Sequence, residues 1–385
     1  MNKQIVQHIT TKYQEQFNAK PILSFAPGRI NIIGEHTDYN DGFALPAAID
    51  KGIFAALSIT ENNLCTVTSL DLEESFQFQL TNLNSIKNGG WKNYVIGVVA
   101  EIQKTGKKLS NFNLMISGDI PQGSGLSSSA ALENSIVNGL NELLDLKLSK
   151  EKMILISQKA EHNYVGVQCG IMDQYASMFG VKGTALLLDC RDLNSTPISI
   201  QLHDHSLLLV NSNIQHSLAE SAYNNRRKVC EKISKILGIK SLRDANEEQV
   251  IKLIDSMNSE DVLKALYVVQ ENQRVKKAVE LLKENNLPEL GQLLYQTHKG
   301  LKDQYQVSCE ELDFLVDFTK NQDSVLGARM MGGGFGGCTL NLIRKDSINQ
   351  FKNNISKAYL QAFQKECSFY LVHASDGVKI ITNNT

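Results

Sequence analysis

Residues 118–131 read Gly118-Asp119-Ile120-Pro121-Gln122-Gly123-Ser124-Gly125-Leu126-Ser127-Ser128-Ser129-Ala130-Ala131. Before them, residues 112–116 alternate between strongly apolar and other side chains, which predicts a strand with one buried face. After them, apolar residues recur at four-residue spacing between 136 and 144, which predicts a helix. A strand, a glycine-rich loop and a helix N-terminus in this order direct backbone N–H groups and the positive end of the helix dipole at one point. The stretch therefore predicts a phosphate site.

Two other interpretations of this stretch are weaker. The pattern Gly-x4-Gly-Lys-Ser/Thr of the common P-loop is absent, because no lysine follows the glycines. A plain helix N-cap explains one serine, but it does not explain a run of serines placed after Gly123 and Gly125. The serine hydroxyls can bond phosphate or ligate a metal, so we expect a phosphate group at this loop.

Glycine concentrates in three stretches, at residues 26–46, 118–130 and 327–337. Glycine is needed where the backbone takes a positive φ or must approach a ligand closely. Any one of these stretches could be a simple turn. Together they predict the walls of one site.

The length of 385 residues is too great for one ordinary core and favours two domains, which we expect to be residues 1–190 and 191–385. Hydrophobic residues make up 42% of the chain and charged residues 21%, as in ordinary globular enzymes. The chain has 39 Lys and Arg against 41 Asp and Glu, so it lacks a basic surplus for binding nucleic acid. We expect no nucleic-acid partner, and the sequence implies no protein partner.

The sequence also argues against a membrane or an oxidising compartment. It contains no apolar run near the roughly 18 residues of a membrane span, and its first residues do not resemble a signal peptide. The seven cysteines are scattered and include no Cys-x-x-Cys pair, which indicates reduced thiols. We expect a cytoplasmic protein.

The rest of the chain mixes strands with helices. Residues 207–210 predict a buried strand, and residues 221–320 are charged and helical in pattern. Ser308 and Glu311 have the spacing of a capping box at a helix start. The mixture predicts an α+β fold in two domains.

The stretch from Pro121 to Ala131 resembles the ATP loop of the GHMP kinases, a family named for galactose, homoserine, mevalonate and phosphomevalonate. In that family the third serine and a downstream glutamate bind Mg²⁺, which the resemblance places at Ser129 and Glu161. Considered alone, Glu161 would be an ordinary solvated helix residue. The nucleotide contacts implied by the resemblance are Ser69, Gly123, Ser124, Gly125, Leu126, Ser127, Ser128 and Ser129.

Residues 26–46 place three polar side chains, Glu35, His36 and Asp38, within four positions. A sugar presents hydroxyls that are both donors and acceptors, and carboxylates that accept two hydroxyl protons hold it well. Metal binding by His36 and Asp38 is the competing interpretation. It is weak, because two ligands without a further Cys or His cluster rarely make a site.

The same residues closely resemble the signature of the galactokinase branch of the GHMP kinases. Mevalonate-type and homoserine-type members lack the run Glu35-His36-Thr37-Asp38-Tyr39, and N-acetylgalactosamine kinases vary around it. The resemblance implies that Arg29 stabilises charge. The sugar contacts that it implies are Glu35, His36, Thr37, Asp38, Gly170 and Tyr223.

Asp173 lies in an apolar setting, within Cys169-Gly170-Ile171-Met172-Asp173-Gln174-Tyr175. A carboxylate there needs a partner, because an unpaired buried charge is costly. From spacing alone it would be a structural salt-bridge residue. The resemblance makes it the catalytic base, with Arg29 beside it, and in that pairing the cation would stabilise the carboxylate that accepts a hydroxyl proton.

The last glycine stretch matches the dinucleotide-binding pattern in Gly332-x-Gly334-x-x-Gly337. That pattern requires a following helix, whereas residues 339–343 read as a strand. The stretch resembles instead the third GHMP motif, a loop over phosphate and sugar. Met331 stands where galactokinases usually have Thr, which puts one hydroxyl contact in doubt.

These observations predict a kinase with the GHMP architecture, in which ATP with Mg²⁺ and a sugar meet in a cleft between the two domains. The implied reaction is phosphorylation of D-galactose at its anomeric hydroxyl, giving galactose 1-phosphate and ADP, the first step of galactose utilisation. Two alternatives stay open at this point. One is a non-catalytic sensor of galactose and ATP, and the other is a kinase for a related sugar such as N-acetylgalactosamine.

Overall fold

The computed structural model describes residues 2–121, 123–215 and 219–382. Its α-helices are α1 (Lys3–Phe17), α2 (Trp91–Lys104), α3 (Ser128–Leu143), α4 (Lys150–Ala160), α5 (Met172–Phe179), α6 (Ala219–Leu237), α7 (Glu247–Ile251), α8 (Ser259–Lys283), α9 (Leu287–Lys299), α10 (Glu310–Thr319) and α11 (Ile348–Phe363). Its strands are β1 (Ile22–Asn31), β2 (Phe43–Ala44), β3 (Pro46–Ile59), β4 (Cys65–Ser69), β5 (Glu74–Phe78), β6 (Phe112–Gly118), β7 (Thr184–Asp189), β8 (Asn194–Ser199), β9 (His205–Gln215), β10 (Val325–Met330), β11 (Gly336–Arg344), β12 (Ser368–Val372) and β13 (Lys379–Ile381). Within these ranges, no helix has both the length and the apolar content needed to cross a bilayer.

The first sheet has the strand order β13-β1-β3-β6-β4-β5, and the β4–β6 pair alone is parallel. Alternate residues of β3 point to opposite faces. Ala55 and Leu57 pack in the cluster that contains α2, α3, α4 and α5, whereas Phe54 and Ala56 pack under α1. The sheet is therefore covered on both faces, and the predicted strand at 112–116 lies in its interior as part of β6.

The second sheet is antiparallel, with the order β10-β11-β9-β12. β9 contains the predicted strand at 207–210, and its alternation again separates two clusters. Leu208 and Val210 pack with α10 and α11, and Leu207 and Leu209 pack with α8 and α9. The helices α6 to α10 confirm the helical pattern predicted for residues 221–320.

Apolar packing and strand pairing connect the two halves of the chain across the proposed domain boundary. One apolar cluster joins Ile30 and Leu45 of the first half to Val275 and Leu340 of the second. β13 returns from the end of the second half to pair with β1, and β7 and β8 form a hairpin on either side of residue 190. The mixed α+β fold class is confirmed, whereas the boundary near 190 stays a prediction.

The predicted capping box at Ser308 and Glu311 is wrong. α10 begins after Cys309, whose side chain makes no capping hydrogen bond. Ser308 Oγ instead donates to Asp313 Oδ1 over 2.6 Å. Ser308 thus lies one residue before the N-cap position, and its hydroxyl forms a charge-assisted hydrogen bond with Asp313 instead.

Helix α9 and strand β10 pack at backbone distance. A Cβ atom at Gly291 would overlap the carbonyl group of Leu326, and one at Gly327 would overlap the Gly291 carbonyl oxygen. Neither obstacle is a flexible side chain. The contact therefore holds the second sheet against α9, and it tolerates no added atom.

Gly291→Ala should lower the free energy of unfolding by about 1–3 kcal/mol, the usual cost of overpacking. The direction of the change is informative, because the same Gly→Ala substitution at an open helix position would raise the free energy of unfolding by roughly 0.5–1 kcal/mol. Urea denaturation measures the difference. Gln292→Ala on the exposed side of the same helix is the control, and equal stabilities of the two variants would contradict the prediction.

Candidate active site

A cavity of about 150 Å³ lies where the two halves of the chain meet. Its lining residues are Arg29, Glu35, His36, Asp38, Glu161, Val167, Cys169, Gly170, Met172, Asp173, Tyr223, Gly332 and Gly333. These residues come from two of the three glycine-rich stretches, from the segment around Asp173 and from α6. The structure therefore brings together most of the predicted sugar contacts with both predicted catalytic residues.

Arg29 and Asp173 form a two-pronged ion pair in the wall of this cavity. Arg29 Nε donates to Asp173 Oδ1 and Arg29 Nη2 donates to Oδ2, both over 2.8 Å. The arginine side chain is 5% exposed and the aspartate 27%. Burial alone would lower the pKa of Arg29, but the charges of Asp173 and Glu35 outweigh it and raise that pKa. The arginine stays charged, and the carboxylate keeps one face towards the cavity.

Ser127 is the second partner of Asp173. Its Oγ donates to Asp173 Oδ2 over 2.5 Å instead of capping α3. Ser127 has a left-handed φ of 57°, which is costly for a residue with a side chain. We infer that this turn directs the hydroxyl to the carboxylate and away from the helix end.

The serine-rich loop is fixed to β1 by backbone contacts. The N–H of Arg29 donates to the Leu126 carbonyl oxygen over 3.1 Å, and Arg29 Nη1 donates to the Gly125 carbonyl oxygen over 2.6 Å. A Cβ atom at Gly28 would lie 2.5 Å from the Leu126 oxygen. Glycine at position 28 therefore lets the strand and the loop approach.

Glu35 is buried in a second ion pair with Arg329. Arg329 Nη1 donates to Glu35 Oε1 over 2.9 Å, and the N–H of Gly332 donates to the same oxygen over 2.7 Å. Asn31 Nδ2 donates to Oε2 over 2.6 Å. Burial raises the pKa of Glu35, but the charges of Arg329 and Arg29 overcome this and lower it. Sequence reasoning did not identify Arg329 as a site residue, because its partner lies 294 positions away.

His36 is an uncharged imidazole in an aromatic setting. Burial lowers the pKa of His36 to about 4. Its Nδ1 is 2.8 Å from the hydroxyl of Tyr39, and its ring centroid lies 5.4 Å from that of Tyr223. Its buried Nε2 makes no well-formed hydrogen bond within the described residues, although the Gly333 backbone is close. This nitrogen is the ring atom best able to bond a ligand in the cavity that His36 lines.

Asp38 is buried against Gly170, where a Cβ atom would overlap its carboxylate. Glycine at position 170 is therefore required by the position of Asp38. Burial raises the pKa of Asp38 to about 6, and the charges of Asp173 and Glu35 raise it in the same direction. The site holds this acid at a cost in stability.

Thr37 and Tyr223 differ in how they relate to the cavity. Tyr223 on α6 lines it, and burial raises the pKa of its hydroxyl well above the usual value. Thr37 does not line it, and its hydroxyl bonds the carbonyl oxygens of Gly34 and Phe43 at 2.8 and 2.7 Å. The structure thus gives Thr37 a bracing position inside the loop, and its sugar contact stays a prediction.

A second cavity, of about 260 Å³, lies beside the N-terminus of α3. Ser69, Ser128 and Ser129 line it, together with apolar side chains that include Trp91 and Leu72. Sequence reasoning found the serines but missed Trp91, Leu72 and the polar neighbour Asp71, since isolated residues on separate elements leave no local pattern. A cavity with apolar walls beside a phosphate loop suits a nucleotide base.

The remaining loop residues have mixed roles. Ser124 is buried and its Oγ donates to the Pro121 carbonyl oxygen over 2.6 Å. Gly123, Gly125 and Ser128 are exposed. The three exposed residues can contact a ligand, whereas the hydroxyl of Ser124 is already hydrogen-bonded within the turn.

The glycine-rich turn at 332–337 leads into β11 and not into a helix, so the dinucleotide-binding interpretation fails in the structure as expected. The turn packs on the serine-rich loop: a Cβ atom at Gly337 would be 3.6 Å from the Gly123 oxygen. Met331 is buried, and its N–H donates to the Cys338 carbonyl oxygen. Met331 therefore belongs to the core under the turn.

Glu161 occupies a turn of π-helix, Glu161–Val165, that follows α4. Such turns are frequent at functional sites because they redirect a side chain. Burial raises the pKa of Glu161 to about 7, with a further increase from Asp173, and Ser129 lies within hydrogen-bonding reach. Glu133 of α3, buried behind them, has a pKa raised well above normal by burial and by Glu161, and its Oε1 lacks a partner among the described residues.

This donor set fits Mg²⁺. A hydroxyl and a carboxylate in contact are ligands that Mg²⁺ accepts, and the ion keeps other positions for phosphate oxygens and water. Within the described chain, no group of three or more His, Cys, Asp or Glu side chains forms a protein-only metal cage. A cation at Ser129 and Glu161 would also offset the repulsion among the buried carboxylates.

Comparison with protein families gives three matches along the chain. Residues 11–59 match the galactokinase galactose-binding signature, residues 93–181 the N-terminal domain of GHMP kinases and residues 278–361 their C-terminal domain. A galactokinase of Thermotoga neapolitana is 41% identical over 357 residues, which cover 92% of this chain and 99% of that protein. A galactokinase of Thermosipho africanus is 42% identical over 354 residues, covering 92% and 98%.

Solved structures give the same result. The galactokinase of Lactococcus lactis in complex with galactose superposes with a TM-score of 0.93 at 33% identity, covering 98% of this chain and 100% of that one. The mevalonate kinase of Methanococcus jannaschii superposes with a TM-score of 0.63 at 18% identity, covering 92% and 98%. The second likeness concerns the fold alone.

Asp38→Asn should stabilise the ligand-free protein at pH 7.5 by on the order of 2–3 kcal/mol. The pKa of Asp38 is raised from 3.8 to about 6 on folding, so the folded state binds the proton more tightly than the unfolded state. The penalty is complete above pH 6 and fades as the pH falls towards 4. The gain from the amide should shrink in the same range.

Urea denaturation at pH 7.5 and at pH 5 measures this gain. Asp145→Asn is the matched control, because Asp145 is 75% exposed. An Asp38→Asn protein with wild-type stability at both pH values would contradict the buried-acid interpretation.

Proposed function

This chain belongs to the galactokinases of the GHMP kinase family, and from that premise we infer that it transfers a phosphoryl group from ATP to the anomeric hydroxyl of D-galactose. The products are galactose 1-phosphate and ADP. The observation that carries this conclusion is the junction of the two cavities. Ser129 lines one, Glu161 and Asp173 line the other, and Ser127 joins the loop to Asp173.

Asp173 is proposed to be the catalytic base. Arg29 and Ser127 satisfy one lone pair of Oδ1 and both of Oδ2. Oδ1 therefore keeps a lone pair that can accept the proton of the anomeric hydroxyl. The charge of Arg29 stabilises the carboxylate before transfer, and the bidentate contact holds it in one orientation.

The serine-rich loop and α3 are proposed to bind the phosphates. The first N–H groups of α3 have no partner inside the helix, and the helix dipole adds partial positive charge. Gly123, Gly125 and Ser128 are exposed there and can approach phosphate oxygens. Phosphoryl transfer needs little covalent help, so positioning and charge neutralisation supply most of the catalysis.

Ser129 and Glu161 are proposed to hold Mg²⁺ with the nucleotide. The ion would neutralise developing charge on the phosphate oxygens. Ser129 stands in the nucleotide cavity and Glu161 in the wall of the sugar cavity, so the two ligands come from opposite sides of the junction.

The sugar is proposed to lie among Glu35, His36, Asp38 and Tyr223. Glu35 Oε2 accepts one hydrogen bond, from Asn31, and so has capacity for a hydroxyl. His36 Nε2 and the Asp38 carboxylate add an imidazole nitrogen and two acceptor oxygens. Ser129, Glu161 and Asp173 lie together beside these residues, an arrangement that a non-catalytic sensor would not need.

D-Galactose should be phosphorylated with a kcat/KM at least about a hundredfold above those of D-glucose and N-acetylgalactosamine. A buried polar wall rejects an epimer, or a derivative with a replaced hydroxyl, that leaves its groups unpaired. ADP release, measured with each sugar at fixed ATP and Mg²⁺, checks this. Similar specificity constants for the three sugars would overturn the galactose assignment.

Asp173→Asn should lower kcat by about 10²–10⁴ and leave galactose binding nearly intact, because a base acts in the transition state. Steady-state kinetics and calorimetry separate the two. Since the change also leaves Arg29 unpaired, the double variant with Arg29→Ala should show non-additive losses. Asp41→Asn is the control, as Asp41 pairs with Arg191 outside the cavity. A folded Asp173→Asn protein within about tenfold of the wild-type kcat, or roughly 1.4 kcal/mol, would remove Asp173 from this role.

A further inference from the structure

Gln174 lies behind the carboxylate of Glu161 and contacts a second buried carboxylate. Its Nε2 donates to Glu161 Oε2 over 3.0 Å and to Glu133 Oε2 over 3.3 Å. Gln174 and Glu133 have no exposed surface, and Glu161 is 7% exposed. A line of three side chains therefore runs from the cavity wall into the core.

The backbone around Gln174 is itself fixed by two further helices. Asn134 Nδ2 of α3 donates to the Gln174 carbonyl oxygen over 2.9 Å. Ser157 Oγ of α4 donates to Asn134 Oδ1 over 2.9 Å. Gln174 follows Asp173 in the first turn of α5, so the same turn carries the proposed base and this amide.

The amide is suited to its place between two acids. An amide nitrogen carries two hydrogens, and its two nearest acceptors are the oxygens of Glu161 and Glu133, with Cys169 Sγ farther away at 3.9 Å. Two ionised carboxylates would repel each other here, whereas a neutral amide donor can bond an oxygen of each acid in either protonation state. Because Gln174 fixes Oε2 of Glu161, the second oxygen of that carboxylate is the one left for a cation.

We propose that Gln174 is a positioning residue for the metal ligand Glu161, with Glu133 as the anchor that holds the amide from behind. The inference rests on the proposed role of Ser129 and Glu161. Removing a group that hydrogen-bonds a ligating carboxylate commonly lowers metal affinity 10–100-fold. Neither Gln174 nor Glu133 lines the sugar cavity, so replacing either residue should leave galactose affinity unchanged.

Gln174→Met is the main test, since methionine has a similar length and volume and donates no hydrogen bond. Mn²⁺ binding to the enzyme with ADP, followed by electron paramagnetic resonance, should weaken about tenfold. Galactose binding by calorimetry should stay within about twofold of the wild type, well under the 1.4 kcal/mol of a tenfold change. Asn341→Leu is the matched control, because Asn341 in β11 is a buried amide whose Oδ1, like Oε1 of Gln174, has no hydrogen-bond partner in the described part of the chain. It should bind Mn²⁺ normally.

Glu133→Leu is the second test, and it keeps the proposal testable if the Gln174→Met protein does not fold. Replacing a buried acid with an apolar group is often tolerated. Glu133→Leu should weaken Mn²⁺ binding as well. If both variants fold, their combination should cost no more than the larger single loss. Wild-type Mn²⁺ affinity in either folded variant, or an equal loss of galactose binding, would overturn the proposal.

Glu161→Gln separates this proposal from the function on which it rests. If Glu161→Gln itself binds Mn²⁺ normally, the proposed metal site is wrong, and the positioning role falls with it. If Glu161→Gln binds Mn²⁺ weakly while Gln174→Met binds it normally, the metal site stands and the positioning role alone is wrong.

Discussion

The ion pair between Arg29 and Asp173 is the contact on which the rest of the site depends. It joins β1 of the first sheet to α5, across 144 positions of sequence. A guanidinium taken out of water is destabilising unless its donors are satisfied, and Arg29 satisfies them with Asp173 and the Gly125 carbonyl oxygen. The sheet, the serine-rich loop and α5 must therefore assemble together. The same geometry that pairs the buried Arg29 guanidinium also directs the Asp173 carboxylate towards the cavity.

A second buried pair, Glu35 with Arg329, complements the first one. Arg329 is fully buried and also donates to the Ile32 carbonyl oxygen, and Gly332 follows it at the start of the glycine-rich turn. The sugar-binding segment of the first half is thereby fixed to the second half. Because breaking a buried pair leaves an uncompensated charge, the two walls of the cavity are held at one separation.

The sequence predicted the local elements of the site better than its long-range partners. The strand, glycine-rich loop and helix around Ser127 follow from spacing, and the structure has them at β6 and α3. Asp173 gained a catalytic role through resemblance alone, since its partners come from distant segments. Gln174 could not be recognised, because its importance lies in a contact between α5, α3 and the turn at Glu161. The capping box at Ser308 failed for a different, local reason: α10 begins one residue later than the spacing requires, and the Ser308 hydroxyl bonds Asp313 five residues on.

Strand β13 is translated long after β1, the strand with which it pairs. Leu23, Ser24 and Phe25 of β1 pair with residues 379–381, so that edge of the first sheet lacks its neighbour while the ribosome adds nearly all of the chain. At the usual pace of synthesis the interval is roughly 20 to 70 s. An unpaired edge is a template for a foreign strand during that time. That edge of the sheet is closed only when these three residues emerge, long after the phosphate loop has been translated.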